Sequence, residues 1–452
     1  MVDFTPNEST ISRSRGIFLG AREKEWIWSG YERSALIIGP TRSGKTSSII
    51  VPNVLCAPRA VVSTSTKKDV MESTSNSRKN VGYCVLFDPT GETSPSKGVE
   101  RIGWSPLRAA RQWDGALDIS SAMVSSSQRR ASGAAGIDHW SERAGALLAP
   151  LLYAAHHAQL DMATVVGWID RRRGEPALEI LESVAGDDHP STSLLSGILA
   201  SDSRELSSIW STTSGVVGAY RSLGALNATR ETLLDADLFV EHPNTLYICA
   251  PGRKQTLLAP LVVGLLSEIQ SAGYRRNTPE QPLLFALDEL ANIAPLPDLP
   301  QLVSEGGGQG VLTIGCLQDL SQARARWGAE ADGLLSLFST TLLLGGVADM
   351  KTLRSISELA GEHTVIRQSE SLSRDAKGLR TQSRSLSPQR ENRLGIDEIA
   401  HGRANHGIVL DATKRLGWIR LSQAHRDEPW RSLVGGRTIK RAARSFEGVV
   451  RE

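Results

Sequence analysis

The sequence predicts an α/β fold: a mostly parallel central sheet flanked by helices, with an inserted all-α domain. Three observations predict it. Residues 34–106 alternate short apolar runs with helical stretches, as a sheet covered by crossover helices requires. Between about 107 and 236 the strand signal disappears, and apolar residues recur at helical spacing. From Thr245 onward the strand-like runs return. The two outer pieces, 34–106 and 237–428, therefore form one α/β domain, and 107–236 is the insertion.

Taken in order, residues 1–33 read as an N-terminal lead-in, with Trp26-Ile27-Trp28 a short strand on the domain edge. Strands are expected at 35–38, 60–63 and 83–87, with helices after Lys45 and over 68–79. In the insertion, Trp140, Leu147, Leu148, Leu151 and Leu152 mark one apolar helix face, and Leu194, Ile198, Leu206, Ile209 and Trp210 mark others. Its tryptophans read as core anchors. Further strands are expected at 245–249, 282–287, 310–317 and 340–345, with a helix over 257–274. Residues 368–393 are rich in Ser and Arg, and form either a flexible loop or an extended hairpin. A strand pair follows at 408–410 and 418–421, and 429–452 reads as a loose basic tail.

The run Gly39-Pro40-Thr41-Arg42-Ser43-Gly44-Lys45-Thr46 fits the phosphate-loop pattern with no mismatch. An apolar strand precedes it, and Ser47-Ser48-Ile49-Ile50-Val51 can open a helix after it. Strand, glycine loop and helix start together make a nest of N–H groups suited to phosphates. Gly39 and Gly44 let the backbone wrap close to the anion. Lys45 reaches the β- and γ-phosphates of a nucleotide, Thr46 offers its hydroxyl to Mg²⁺, and Ser47 completes the binding run. The apolar strand ending at Leu287 delivers Asp288-Glu289 at its C-terminal edge, where a parallel sheet presents its ligands. Asp288 suits the Mg²⁺ shell, and Glu289 suits polarising an attacking water. Gln318 ends a third strand and can sit between loop and carboxylates, sensing the γ-phosphate.

Composition bounds the rest. The chain has 452 residues, 40% hydrophobic and 22% charged, with a formal net charge of only +2. Contact with nucleic acid must come from local patches such as 171–173, 374–393 and 437–444. Cys56, Cys84, Cys249 and Cys316 have no metal-ligand spacing and read as buried free thiols of a reducing compartment. The polar start does not read as a signal peptide. The longest apolar candidate for a membrane span, 145–169, carries His156, His157, Gln159 and Asp161, and reads as one buried helix. These features place the chain in the cytoplasm.

Four motifs together are more specific than any one. They are the phosphate loop, Phe87-Asp88-Pro89-Thr90-Gly91, the run from Asp288-Glu289-Leu290-Ala291-Asn292 through Asp298-Leu299, and Gln318-Asp319-Leu320-Ser321-Gln322. In order and spacing, over about residues 30–425, the chain resembles the type IV secretion coupling proteins (the TraG/TraD family) of conjugative DNA transfer. The resemblance implies a RecA-like P-loop NTPase domain, an inserted all-α domain and ring assembly, usually as a homo-hexamer. It implies ATP-driven movement of DNA, single-stranded and read without sequence preference, to a secretion channel, often with a relaxase attached. Lys45 and Thr46 would bind nucleotide and Mg²⁺, Asp288 and Glu289 would be the acidic pair, and Gln318 the coupling glutamine.

Three departures stand out. Many members begin with membrane-spanning helices and this sequence shows none, which implies a soluble variant or docking on a membrane partner at the cytoplasmic face. The glycine-rich segment Glu305-Gly306-Gly307-Gly308-Gln309-Gly310 lacks the arginines often found there, so a trans-acting arginine either comes from elsewhere, with Arg324 and Arg326 the candidates, or is absent. In Val62-Ser63-Thr64-Ser65-Thr66-Lys67-Lys68-Asp69, hydroxyls replace an early Asp, while Lys67 and Asp69 remain for phosphate or subunit contacts. Two other readings stay open: a nucleotide-binding adaptor that recruits secretion substrates without strong hydrolysis, and a DNA pump of the FtsK/HerA kind.

Overall fold

A computed structural model describes residues 16–436, except 24, 128–134, 375–379 and 412–413. Its centre is a 12-stranded sheet. In chain order the strands are β1 (Phe18–Arg22), β2 (Glu25–Trp28), β3 (Ala35–Ile38), β4 (Val61–Ser65), β5 (Cys84–Phe87), β6 (Glu100–Arg101), β7 (Thr245–Cys249), β8 (Leu283–Leu287), β9 (Val311–Leu317) and β10 (Thr340–Leu344). A separate hairpin, β11 (Glu362–Arg374) and β12 (Arg380–Asn392), precedes β13 (His406–Asp411) and β14 (Lys414–Arg420). The order across the sheet is β2-β1-β14-β13-β10-β3-β9-β8-β4-β7-β5-β6. From β10 to β6 every pairing is parallel, and the other four strands close one side with antiparallel pairings.

The parallel strands are apolar because helices cover both faces. Alternation divides them. Leu36 and Ile38 of β3 enter the core shared with the insertion, while Ala35 and Ile37 enter the opposite core. The insertion's helices include Trp113–Ser127, Ala135–His157, Pro190–Leu199 and Ser203–Val216. Leu147, Leu151, Ile198 and Trp210 are buried in one continuous core with Phe285 and Leu287 of β8. A parallel bridge between Gly103 and Leu233 ties the two ends of the insertion together.

Several expectations change. The lead-in is part of the sheet: β1 pairs with β14, and Asn53 clamps it by accepting from Phe18 N–H (2.7 Å) and donating to Phe18 O (2.9 Å). Residues 1–15 lie outside the described residues. The stretch 145–169 is two helices, Ala135–His157 and Met162–Arg171. Gln159 turns left-handed (φ 54°) between them, and Asp161 caps the second by accepting from Thr164 N–H. Among the described residues a single helix, Gly252–Arg276 and not this stretch, has the length and apolarity to cross a membrane, and 72% of its most apolar window is buried inside the protein. The start of the expected tail is not loose. Trp430 is fully buried in the helix Trp430–Val434, against Phe18 (ring centroids 4.8 Å) and Trp26 (5.1 Å). Residues 437–452 lie outside the described residues, with the basic patch expected there. The Ser/Arg-rich segment takes the hairpin form, with Glu362 paired to Asn392 and Arg374 to Arg380.

Candidate nucleotide site

β3, β9 and β8 are neighbours and run the same way, so residues 39, 318 and 288 all emerge at one edge, in that spatial order. Gly39 begins the loop, its N–H donating to Leu317 O (3.1 Å) at the end of β9. A Cβ at Gly39 would lie 2.8 Å from both Leu344 Cβ and Ser43 Oγ, so only glycine fits. Pro40 lies beside Gly346, and Thr41 and Arg42 are exposed at the tip. Arg42 (φ 64°) and Gly44 (φ 94°) both take left-handed backbone to curl the loop. The helix Thr46–Cys56 opens with a wide π turn over Thr46–Ile50. That widening accommodates Pro52, which has no N–H to donate back along the helix.

Lys45 is buried, and its Nζ donates to Gly39 O and to Pro40 O (2.9 Å for the latter). Thr46 Oγ1 donates to Asp288 Oδ2 at 2.8 Å, joining residues 242 positions apart. Ser47 Oγ donates to Gly44 O (3.3 Å). Asp288 is buried, and desolvation pushes its carboxyl up to about 6. The Thr46 hydroxyl and the Lys45 ammonium pull the other way, and Glu289 and Asp69 push it further up. Its backbone is fixed by Thr64, whose hydroxyl donates to Asp288 O (2.9 Å). The hydroxyls that replace the early Asp thus have a task, and Ser65 Oγ likewise donates to Asp69 Oδ1 (3.2 Å). Glu289 sits half-buried in left-handed backbone (φ 59°, ψ 46°) and accepts from Asn292 Nδ2 (3.2 Å). Gln318 is half-buried, its N–H held by Gln322 Oε1 (3.0 Å).

Does this edge fit ATP and Mg²⁺? Ser43 Oγ is buried in the loop and, among the described residues, has no hydrogen-bond partner, so its hydroxyl is available to a phosphate oxygen. Lys45, Thr46 and Asp288 supply the cation, hydroxyl and carboxylate that a Mg²⁺–triphosphate needs. Among the described residues no group of three His, Cys, Asp or Glu could hold a metal alone, so Mg²⁺ would draw its remaining ligands from phosphate and water. The residues fit the group.

The two candidate trans-acting arginines are occupied within the chain. Arg324 pairs with Asp349 (2.6 Å) and Asp332 (3.6 Å), and Arg326 donates to Ser126 O. In the hairpin, Arg384 pairs with Glu370 (2.7 Å), and the side chains of Arg374 and Arg380 lie outside the described residues. Sequence reasoning missed the segment after β14. There Ala424 N–H donates to Ser47 O (2.9 Å), a contact no local signal announces.

Known proteins share this fold. The coupling protein TrwBdeltaN70, in an unbound form, has a TM-score of 0.69 at 17% identity, over 92% of this chain and 90% of that one. TrwB in complex with ADP and Mg²⁺ gives 0.66 at 18%, over 87% and 85%. Their likeness shows the fold, a RecA-like P-loop core. Protein VirD4 of Rhizobium rhizogenes is 23% identical over 365 residues, 77% of this chain and 52% of that protein. Conjugal transfer protein TraG of Escherichia coli is 25% identical over 365 residues, 74% of this chain and 55% of that protein. The chain thus spans about half the length of the curated relatives it matches. Residues 8–416 match the model of one family, so the chain belongs to the type IV secretory system conjugative DNA transfer family.

Proposed function

We propose that the chain is the ATP-driven motor of conjugative DNA transfer, delivering relaxase-bound DNA to a type IV secretion channel. Family membership supports the process, and TrwB, of the same fold, has been solved with ADP and Mg²⁺ and with an ATP analogue. The observation that carries the motor reading is the Thr46–Asp288 hydrogen bond, which puts loop and acid at one site.

In this reading ATP would supply the γ-phosphoryl group that water attacks, and Mg²⁺ would neutralise charge on the phosphates. Lys45 leaves the loop carbonyls for the β- and γ-phosphates. Thr46 and Asp288 would hold Mg²⁺, Asp288 through water. Glu289 orients the attacking water and takes its proton. Gln318, on the strand between loop and acids, senses the γ-phosphate and passes its loss to moving loops. Gly39 to Ser47 bind the phosphates. We assign ring assembly, with nucleotide at subunit boundaries, and work at the cytoplasmic face of the membrane, on a membrane partner. DNA contact is assigned to the hairpin arginines Arg374, Arg380 and Arg384. Seven Arg and Lys face four Asp and Glu between 362 and 393, a local excess in a nearly neutral chain.

The adaptor reading keeps one specific support: Arg324 and Arg326 are engaged inside the chain. An ATPase assay with and without single-stranded DNA separates the two. DNA-stimulated turnover in the wild type, lost in Glu289→Gln with nucleotide still bound, establishes the motor. Nucleotide binding with no turnover in either protein replaces it with the adaptor.

A further inference from the structure

The strand order puts two different sets of strands on the two flanks of β3, where the phosphate loop begins. On one flank lie β9 and β8, carrying Gln318, Asp288 and Glu289, so the γ end belongs there. On the other flank lie β10, β13 and β14. β10 is parallel to β3, β13 antiparallel to β10, and β14 antiparallel to β13. β14 therefore runs with β3, and its C-terminal end emerges at the same edge as the phosphate loop.

The chain beyond it folds onto the first turn of the phosphate-loop helix through the Ala424–Ser47 hydrogen bond. This bend is braced on all sides. Gln423 N–H donates to Asp427 Oδ2 (2.8 Å), Gln423 Nε2 donates to Asn405 Oδ1 (2.8 Å), and Arg426 N–H donates to Gln423 O (2.9 Å). Three residues on, buried Trp430 and Leu433 anchor it in the cluster that holds Val51 and Leu55 of the same helix. Ala424 is buried, yet its neighbours His425 and Arg426 are exposed. Neither side chain makes a hydrogen bond or ion pair with any described residue. A planar ring and a planar guanidinium thus stand exposed on the segment whose Ala424 is hydrogen-bonded to Ser47, in the first turn after the phosphate loop.

We propose that His425 and Arg426 form the nucleoside subsite, contacting the base and ribose of the nucleotide whose phosphates the loop takes. The inference rests on the nucleotide reading above. Both groups can stack on a purine face, and the guanidinium can also donate to ribose hydroxyls or base carbonyls. The β8–β9 flank is committed to the γ end, so this segment is on the side open to the nucleoside.

The test is direct binding by titration calorimetry, with Mg²⁺, of a non-hydrolysable ATP analogue and of inorganic tripolyphosphate. The variants are His425→Ala/Arg426→Ala and Lys45→Ala. The double variant should bind the ATP analogue about tenfold or more weakly, while its tripolyphosphate affinity stays within about twofold of wild type. Unchanged affinity for the ATP analogue overturns the subsite, as does an equal loss for both probes, which would mean general phosphate attraction. Lys45→Ala should weaken both probes. If it weakens neither, the nucleotide reading itself falls, whatever the double variant does. Both changed side chains are exposed, and a melting temperature equal to wild type shows the variant is folded.

Discussion

At the scale of single residues, the site holds a conflict between stability and chemistry. Glu289 adopts left-handed backbone, which costs an L residue with a Cβ roughly 1 kcal/mol. The strain places a carboxylate beside Asp288 and the loop. Glu289→Gly should relieve it, raising stability by up to about 1 kcal/mol in chemical denaturation while abolishing turnover. A drop in stability would show that the backbone there is not strained. Glu289→Gln should keep nucleotide affinity and lose about 10²–10⁴ in rate, the usual worth of a positioned base. Thr46→Val removes the hydroxyl that binds Asp288 and leaves shape nearly intact. Its ATP affinity should lose most of its dependence on Mg²⁺, measured by titrating nucleotide with and without the metal.

At the scale of elements, what the sequence showed depended on whether a signal was local. β3, β8 and β9 were legible as runs of apolar residues buried on both faces, and the glycines and acids at their ends came with them. β1 was not. Phe18–Arg22 is short and contains Gly20, and its place depends on Asn53, 35 residues away. The helix Trp430–Val434 was hidden by the basic residues that follow it, and its burial depends on Phe18 and Trp26 at the other end of the chain. The Ala424–Ser47 contact is equally non-local. Truncation tests the second of these, the helix Trp430–Val434. Trp430→Ala should cost about 3–5 kcal/mol, read by denaturant unfolding, because it empties the centre of an aromatic cluster. The hairpin should behave oppositely. Ile366 and Leu386 are each 68% exposed, so the described part of the hairpin buries little. Replacing 365–389 by a short turn should change stability by less than about 1 kcal/mol. It should also weaken DNA binding and flatten its dependence on salt. If affinity and salt slope survive the deletion, the DNA path lies elsewhere.

At the scale of the whole molecule, the all-α insertion is joined to the sheet by more than a linker. Its leucines share one core with β8, and just before its first residue Trp104 meets the helix Gln255–Arg276, the indole donating to Glu268 Oε2 (2.7 Å). A cavity of about 470 Å³ lies at this joint, with Arg108, Asp118, Asp235, Glu268 and Arg275 in its wall. Burial pushes the Glu268 carboxyl above its ordinary value of 4.5, against the downward pull of the Trp104 indole and of Arg108 and Arg111. The folded state therefore keeps the Glu268 proton at a pH where the unfolded chain has released it. Stability from this group is fully present below about pH 4.5 and is lost as pH rises through the folded-state pKa. Glutamine keeps the shape and an acceptor oxygen for the indole but carries no charge to bury. Glu268→Gln should match wild type in denaturant unfolding near pH 4, then exceed it by a margin that grows as pH rises and levels off once the folded carboxyl has ionised. Because insertion and sheet share their core at this joint, tryptophan fluorescence and far-UV circular dichroism should report the same shift. A gain seen by one probe alone would mean the two parts unfold separately, and a gain independent of pH would mean Glu268 is already ionised in the folded protein.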